Sequence, residues 1–194
     1  PHNENVYFII ADVAGKGIHA GMVMAKASTL FEIMARDQVD PDEMMLHMNN
    51  DLFTTKTGGM FVTSILGDYN IIKDEIRWVN GGHQPAVIRD KVGNYEKYES
   101  NSPPLGVIYQ KDKSAYKINK KKLNDHRFYA FTDGLSESFD NKGEEIGIEG
   151  SIKIMENNYN EILEKQLSNI TKDVIRNAGD NKLNDDLTII SVGK

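Results

Sequence analysis

The chain has 194 residues, with 23 basic against 29 acidic side chains, a net charge of −6 and no cysteine. The missing cysteine excludes thiol nucleophiles, disulfides and thiolate metal sites, and the negative charge argues against a broad nucleic-acid-binding surface. No apolar run approaches the roughly 20 residues that span a bilayer, and the N-terminus lacks the pattern of a signal peptide. We therefore expect one soluble, cytoplasmic domain over residues 1–194 that neither binds nucleic acid nor inserts into membrane.

The first predicted elements are a strand, a glycine turn and a helix, in "VYFIIADVAGKGIHAGMVM" at residues 6–24. Apolar residues at helical spacing run through residues 20–36. A second helix is predicted where Asp40 can cap and Pro41 can occupy the first turn. The three methionines among residues 44–48 line one side of it and are expected to be core residues.

The middle of the chain is rich in predicted strands. The runs "MFVTSILGDYNI", "EIRWVNGG" and "QPAVIRD" are separated by turn residues, which predicts an antiparallel meander. "YKINKK" and "RFYAFTDG" predict two more strands, and the lysines of "KINKKKL" are expected to form a solvated sheet edge. A third helix is predicted from Glu161 to Ala178, ended by Gly179, before a last strand in "LTIISV".

The glycine turn admits two interpretations. Gly15, Gly17 and Ala20 fit the G-x-G-x-x-A fingerprint of dinucleotide-binding oxidoreductases. That fold requires a parallel strand after the helix, whereas this sequence predicts a second helix there. Asp12 would also repel a phosphate unless a cation lies between them.

Acidic residues stand at three strand boundaries. Asp12 ends the first strand, Asp133 ends "FYAFTDG", and Asp185 with Asp186 precedes "LTIISV". Each alone is explained as an ordinary turn residue. Together, in a chain without cysteine, they predict an oxygen-ligand site for magnesium or manganese.

Six ordered motifs carry a resemblance that runs through essentially the whole chain: "DVAGKGIHAGMVM", "MFVTSILG", "WVNGGHQPAVI", "SPPLGV", "FTDGLSE" and "NDDLTIISV". The chain resembles the metal-dependent protein serine/threonine phosphatases (PPM, type 2C-like), and specifically their bacterial SpoIIE/RsbU-type branch. The resemblance implies an α+β fold, a four-layer α-β-β-α sandwich of two antiparallel sheets flanked by helices. It also implies a site for two divalent metal ions, manganese or magnesium, at one end of the sandwich.

Matching motifs imply the ligands. Asp12 would bridge both ions, the backbone carbonyl of Val13 would help to hold one, and Asp133 and Asp185 would bind the other. Asp186 is the less favoured ligand of its pair, because in the family the first residue of this motif binds. Two such ions activate a water for in-line attack on phosphorus, so no protein nucleophile is needed.

The glycine turn then has a role in binding the metals and the phosphate. Gly15 and Gly17 let the backbone bend tightly beside the metals, and the dipole of the following helix favours the phosphate. Ala14 stands where eukaryotic relatives carry a histidine that is a candidate general acid. Leaving-group protonation stays unassigned among three nearby side chains, Lys16, His19 and His83.

The predicted function is hydrolysis of phosphoserine or phosphothreonine on a regulatory protein. The resemblance implies a STAS-type anti-sigma-factor antagonist as the substrate. The alternative is a non-catalytic partner-binding module with the same fold, and a dinucleotide-binding oxidoreductase is the third reading.

The family also has an acidic hairpin before the Asp12 strand. This sequence starts after it, so we expect a longer parent protein with that hairpin and a sensory domain upstream, where a membrane anchor would also lie. Without the hairpin, the flank of the first strand would offer unpaired backbone groups to another chain, which makes a homodimer through that edge an expectation.

Overall fold

The computed structural model describes residues 4–55, 58–140, 143–160, 162–178 and 185–193. Within these ranges the strands are β1 (Asn5–Val13), β2 (Val62–Asn70), β3 (Glu75–Gly81), β4 (Ala86–Arg89), β5 (Tyr95–Tyr98), β6 (Asn119–Lys122), β7 (Arg127–Phe131) and β8 (Ile189–Val192). The α-helices are α1 (Ile18–Arg36), α2 (Pro41–Thr54), α3 (Asp133–Ser136), α4 (Gly147–Asn157) and α5 (Leu163–Ala178). The chain forms two compact units.

The first unit comprises residues 1–85 and 99–124. Its antiparallel sheet has the strand order β1-β2-β3-β6. The lysine-rich strand β6 lies at one edge of this sheet, as predicted, and Lys120 on it pairs with Glu75 of β3 (2.9 Å). β1 is the other edge strand of the sheet as described, and a homodimer through it stays a prediction.

Helices α1 and α2 pack on the strands of this unit. Met44, Met45 and Met48 of α2 are fully buried, which confirms them as core residues. The fully described helix α1 is much less covered, since only Val23 and Ala27 in it are buried. Several large apolar side chains of α1 are exposed instead, Ile18, Met22 and Ile33.

Strand β3 carries two side chains that organise the first unit. Trp78, the single tryptophan of the chain, is fully buried. Arg77 donates from Nε and Nη2 to the buried carboxylate of Asp68 (3.1 and 2.7 Å). Its Nη1 also lies 3.0 Å from Asp40, the residue before α2. Asp40 therefore stands at the predicted N-cap position, but its carboxylate contacts an arginine rather than the helix backbone.

The second unit comprises residues 86–98 and 125–194. Its antiparallel sheet has the order β5-β4-β7-β8. Side chains of β4 and β7 form a buried core with α3, α4 and α5, made of Val87, Tyr129, Phe131, Leu135, Met155, Ile170 and Val174.

An arginine and tyrosine cluster joins this sheet to α4. The Arg89 guanidinium lies 3.7 Å from the ring centre of Tyr159 and donates from Nε to Glu156 (3.0 Å). The Tyr95 hydroxyl donates to the same Glu156 carboxylate (2.8 Å). The main cause that holds the pKa of Glu156 below its usual range is the hydrogen bond from Arg89. Arg127, which is also buried, lies on the Tyr159 ring at 5.0 Å.

The expected fold class, α+β with two antiparallel sheets and helices, is confirmed, and every pairing between the named strands is antiparallel. The predicted meander is wrong in one respect, because β4 pairs with β5 and β7 instead of continuing from β3. Three elements were not predicted, α3, α4 and β5. The last helix starts at Leu163, and Glu161 and Gly179 lie outside the described residues.

No helix in the part of the chain that the structure describes has the length and apolarity needed to cross a membrane. The longest, α1, has 19 residues but carries Lys26, Glu32 and Arg36 along its length. The expectation of a single phosphatase domain over the whole chain stays a prediction.

Candidate active site

Asp12 lies near the end of an apolar edge strand. In the antiparallel pairing of β1 with β2, Asp12 lies opposite Thr63 and Val13 opposite Val62. The Ala14 N–H donates to the carbonyl of Phe61 (2.9 Å). Asp12 is half-buried and Val13 is buried. The carboxylate therefore sits on a strand end that is fixed by ladder hydrogen bonds on one side.

The turn after Asp12 depends on its glycines. Gly17 has φ 84° and ψ −162°, a region that is essentially restricted to glycine. A Cβ on Gly15 would lie 3.2 Å from Met60 Sδ, so a side chain there would press on that methionine. Among the described residues no side chain caps α1. Its first-turn N–H groups, which have no partner within the helix, therefore suit an anion.

The three residues considered for leaving-group protonation occupy different settings. Lys16 and His19 are exposed on the turn and on the first turn of α1. His83 is buried, its ring Nδ1 lies 2.9 Å from Thr63 Oγ1, and its backbone N–H donates to Asn80 Oδ1 (2.9 Å). Thr63 is not apparent from the sequence, because the strand register that places it opposite Asp12 is not visible in the motifs.

Asp133 begins α3 immediately after β7. Its backbone carbonyl accepts from the Glu137 N–H (2.7 Å) and from the Ser136 hydroxyl (3.3 Å). The residue before it, Thr132, is buried at the N-cap position. Asp133 itself is half-buried at the point where a fully buried strand meets a helix, which gives its carboxylate a rigid base.

The chain around Asp186 packs directly on this turn. The Thr132 hydroxyl donates to the carbonyl of Asp186 (2.8 Å) and accepts from the Thr188 N–H (3.0 Å). A Cβ on Gly134 would lie 2.4 Å from the Asp186 carbonyl oxygen, so only glycine allows this approach. The structure thus brings the segments of Asp133 and Asp186 into backbone contact.

Asp185 and Asp186 lie before β8 rather than in it, since that strand begins at Ile189. Both are exposed. Asp185 Oδ1 accepts from the Asp186 N–H (2.8 Å), which orients the Asp185 carboxylate. Because neither residue lies in a strand, the alternation of side chains along a strand does not send the two carboxylates to opposite faces.

The predicted ligands fall in both units. Asp12 and Val13 belong to the first, and Asp133, Asp185 and Asp186 to the second. Among the described residues, no group of three or more histidine and acidic side chains is arranged to hold a metal ion. The ligand set consequently stays a prediction.

Comparison with known proteins decides the family. The family described as Stage II sporulation protein E (SpoIIE) matches residues 2–193. The chain belongs to this family. Among curated proteins it is similar to the phosphoserine phosphatase RsbU of Bacillus subtilis (strain 168), with 23% identity over 190 residues. That alignment covers 96% of this chain and 55% of RsbU, so the chain spans about half the length of that relative.

Solved structures show the same fold at low identity. The SiaA-PP2C domain of Pseudomonas aeruginosa has a TM-score of 0.80 with 14% identity, covering 96% of this chain and 78% of that one. RsbX in complex with magnesium has a TM-score of 0.69 with 17% identity, covering 98% and 82%. The predicted membership of the SpoIIE/RsbU branch of the PPM phosphatases is confirmed, a branch in which the similar Bacillus subtilis proteins RsbU and RsbP are named phosphoserine phosphatases.

Proposed function

We propose that this domain hydrolyses phosphoserine or phosphothreonine on a regulatory protein in a metal-dependent reaction. The observation that supports it best is the backbone contact between the Asp133 turn and the segment of Asp185 and Asp186. Ordinary turns with an aspartate do not need this contact, in which Gly134 and the buried Thr132 hold the Asp133 turn against the segment of Asp185 and Asp186. In a member of the SpoIIE family, this arrangement suits acidic ligands of a metal site.

The proposed cofactor is a pair of divalent ions, manganese or magnesium. The donors would be Asp12, the Val13 carbonyl, Asp133 and Asp185, with Asp186 as the less favoured ligand. This donor set fits such ions, because it consists entirely of oxygens and is free of sulfur. When bound, two ions of this kind supply an activated water and neutralise charge on a phosphoryl group. The similar protein RsbX was solved with magnesium, which supports the type of metal.

The chain's own groups would bind and orient the phosphate. The N–H groups of the first turn of α1 carry the positive end of the helix dipole toward the turn after Asp12. Gly17 keeps that turn without a side chain, so an oxygen atom can approach the backbone. His83 is held by Thr63 and Asn80, which supports a structural role for it.

The proposed substrate is a small STAS-type anti-sigma-factor antagonist phosphorylated on serine or threonine. The similarity to a protein named phosphoserine phosphatase RsbU supports the chemistry of that substrate. The named antagonist class rests on the motif resemblance alone.

The decisive assay is hydrolysis of p-nitrophenyl phosphate by the purified chain with manganese. We expect turnover that a chelator abolishes and that added manganese restores, together with release of phosphate from a phosphoserine peptide. A well-folded protein that binds manganese but hydrolyses neither compound would overturn the proposal in favour of a non-catalytic partner-binding module.

A further inference from the structure

An apolar groove of about 600 Å³ lies in the first unit between the start of α1, the end of α2 and the segment before β2. Its apolar lining comes from Met22 and Val23 of α1, Leu52 of α2, and Met60. Val23 and Leu52 are buried, whereas Met22 is 66% exposed. The volume is within the roughly 300–1,000 Å³ typical of ligand pockets.

The groove touches the turn that follows Asp12. Met60, one of its walls, is the residue that a Cβ on Gly15 would press on, at 3.2 Å. Gly15 lies three residues after Asp12 on the same turn. If the phosphoserine of a protein segment reaches this turn, the residues next to the phosphoserine therefore lie beside the groove.

The rim of the groove carries basic residues in a chain whose net charge is −6. His19 and Lys26 line it, and Lys26 is tied to α2 by Asp51 (2.5 Å) and Thr55. Lys16 is exposed on the adjoining turn. The ion pair with Asp51 offsets the charge of Lys26, so the exposed Lys16 supplies the positive charge that complements a segment with a phosphate next to an apolar side chain.

We propose that this groove binds a large apolar side chain within a few residues of the substrate's phosphoserine, and so selects substrates by that side chain. The inference rests on the proposed phosphatase activity and adds a specificity determinant to it. Ile18, 83% exposed one turn before Met22, extends the apolar surface beyond the groove. Two large apolar side chains left in solvent beside a catalytic turn are explained by an occupant of this kind.

The test uses phosphoserine peptides that differ at one position. Leucine or serine is placed in turn at each of the four positions on either side of the phosphoserine, and kcat/KM is measured with manganese. We expect leucine at one or two positions to raise kcat/KM about tenfold over serine, the effect of burying one large apolar side chain. In Met22→Ser the leucine-to-serine ratio should fall toward one.

Ile72→Ser is the matched control, because Ile72 is 73% exposed in the β2–β3 turn of the same unit and is not part of the groove. It should keep the wild-type ratio. Equal rates for all leucine and serine peptides, or an unchanged ratio in Met22→Ser, would overturn the groove as a specificity site while peptide hydrolysis upholds the phosphatase. A wild-type protein that hydrolyses no peptide and no p-nitrophenyl phosphate would overturn both proposals.

Discussion

Asp12 lies at the end of one apolar strand and Asp133 just after another, but the chain holds them by different means. The Asp133 turn is clamped by the close approach of the Gly134 backbone to that of Asp186 and by the hydrogen bond from the buried Thr132 hydroxyl to the Asp186 carbonyl. The Asp12 turn is shaped by backbone conformations that glycine allows, and it leads into a helix with an uncovered apolar face. The second unit therefore fixes the Asp133 turn by packing, whereas the first unit leaves open space beside the Asp12 turn.

This difference predicts where each kind of substitution acts. In the second unit, a substitution that adds volume should lower the free energy of unfolding, and one that removes an acidic charge should weaken metal binding. In the first unit, exposed side chains of α1 can change with little cost to the fold and are expected to act on substrate choice.

Asp133→Asn should remove activity. The amide keeps the size of the side chain but loses the negative charge that a divalent ion requires, and the backbone hydrogen bonds that hold the turn are unaffected. Loss of a direct ligand should exceed the roughly 10 to 100-fold typical of residues that only support ligands. Hydrolysis of p-nitrophenyl phosphate measures it, with circular dichroism as the check on folding. Wild-type turnover in the folded variant would contradict the assignment of Asp133.

Asp185→Asn should weaken manganese binding more than Asp186→Asn. The Asp186 N–H orients the Asp185 carboxylate, whereas the part of Asp186 engaged by the Asp133 turn is its backbone carbonyl. We expect a loss of at least about tenfold in affinity for Asp185→Asn, because even residues that only support ligands typically cost about 10 to 100-fold when they are changed. Manganese titration of both variants measures the two affinities. A larger loss in Asp186→Asn would show that Asp186, and not Asp185, is the ligand of this motif.

Gly134→Ala should destabilise the protein while Gly21→Ala stabilises it. An added Cβ at 134 meets the Asp186 carbonyl oxygen at 2.4 Å and cannot be relieved by a side-chain rotation, which we expect to cost about 1–3 kcal/mol. At Gly21 in α1 no described atom other than those of the adjoining residues and the helix's own backbone lies within 4 Å of the added Cβ, and alanine favours the helix by about 0.5–1 kcal/mol. Urea unfolding measures both free energies. Equal changes in the free energy of unfolding for the two substitutions would contradict the contrast between the tightly packed Gly134 turn and the exposed helix α1.

Glu156→Gln should produce the smallest change, and it should depend on pH. The hydrogen bond from Arg89 lowers the folded-state pKa of Glu156, so this ion pair contributes stability above about pH 4.5, the ordinary pKa of glutamate. That contribution is lost as the pH falls through the lowered value. The carboxylate is partly exposed, so solvent screening keeps the effect small. Melting temperatures at pH 7 and pH 3 should show a difference between variant and wild type that shrinks in acid. A difference independent of pH would contradict the ion pair as its cause.

The elements with strong local patterns were predictable from the sequence. Helix α2 follows from its methionine spacing and Pro41, and β7 and β8 follow from runs of apolar and β-branched residues. The acidic positions could be found because Asp133 and Asp185 stand at the boundaries of these runs. The motif order, far more than any one spacing, led to the family.

What the sequence did not predict depends on contacts distant in the chain. Helix α4 begins at Gly147 and contains Gly150, two residues of low helix propensity, and its buried side chain Met155 packs in the core of the second unit. The pairing of β4 with β7 joins strands separated by about 40 residues, which local turn signals do not encode. The fit of Gly134 against Asp186 is equally distant and is seen only in three dimensions.

The burial of Trp78 gives this protein an optical probe of one unit. The indole lies fully inside the first unit and is the chain's single tryptophan, whereas Tyr95, Tyr129 and Tyr159 belong to the second. Tryptophan fluorescence excited at the red edge of its absorption therefore reports on the first unit alone, while far-ultraviolet circular dichroism reports on both. Denaturation curves that coincide by these two signals indicate one cooperative transition, and curves that separate reveal which unit opens first.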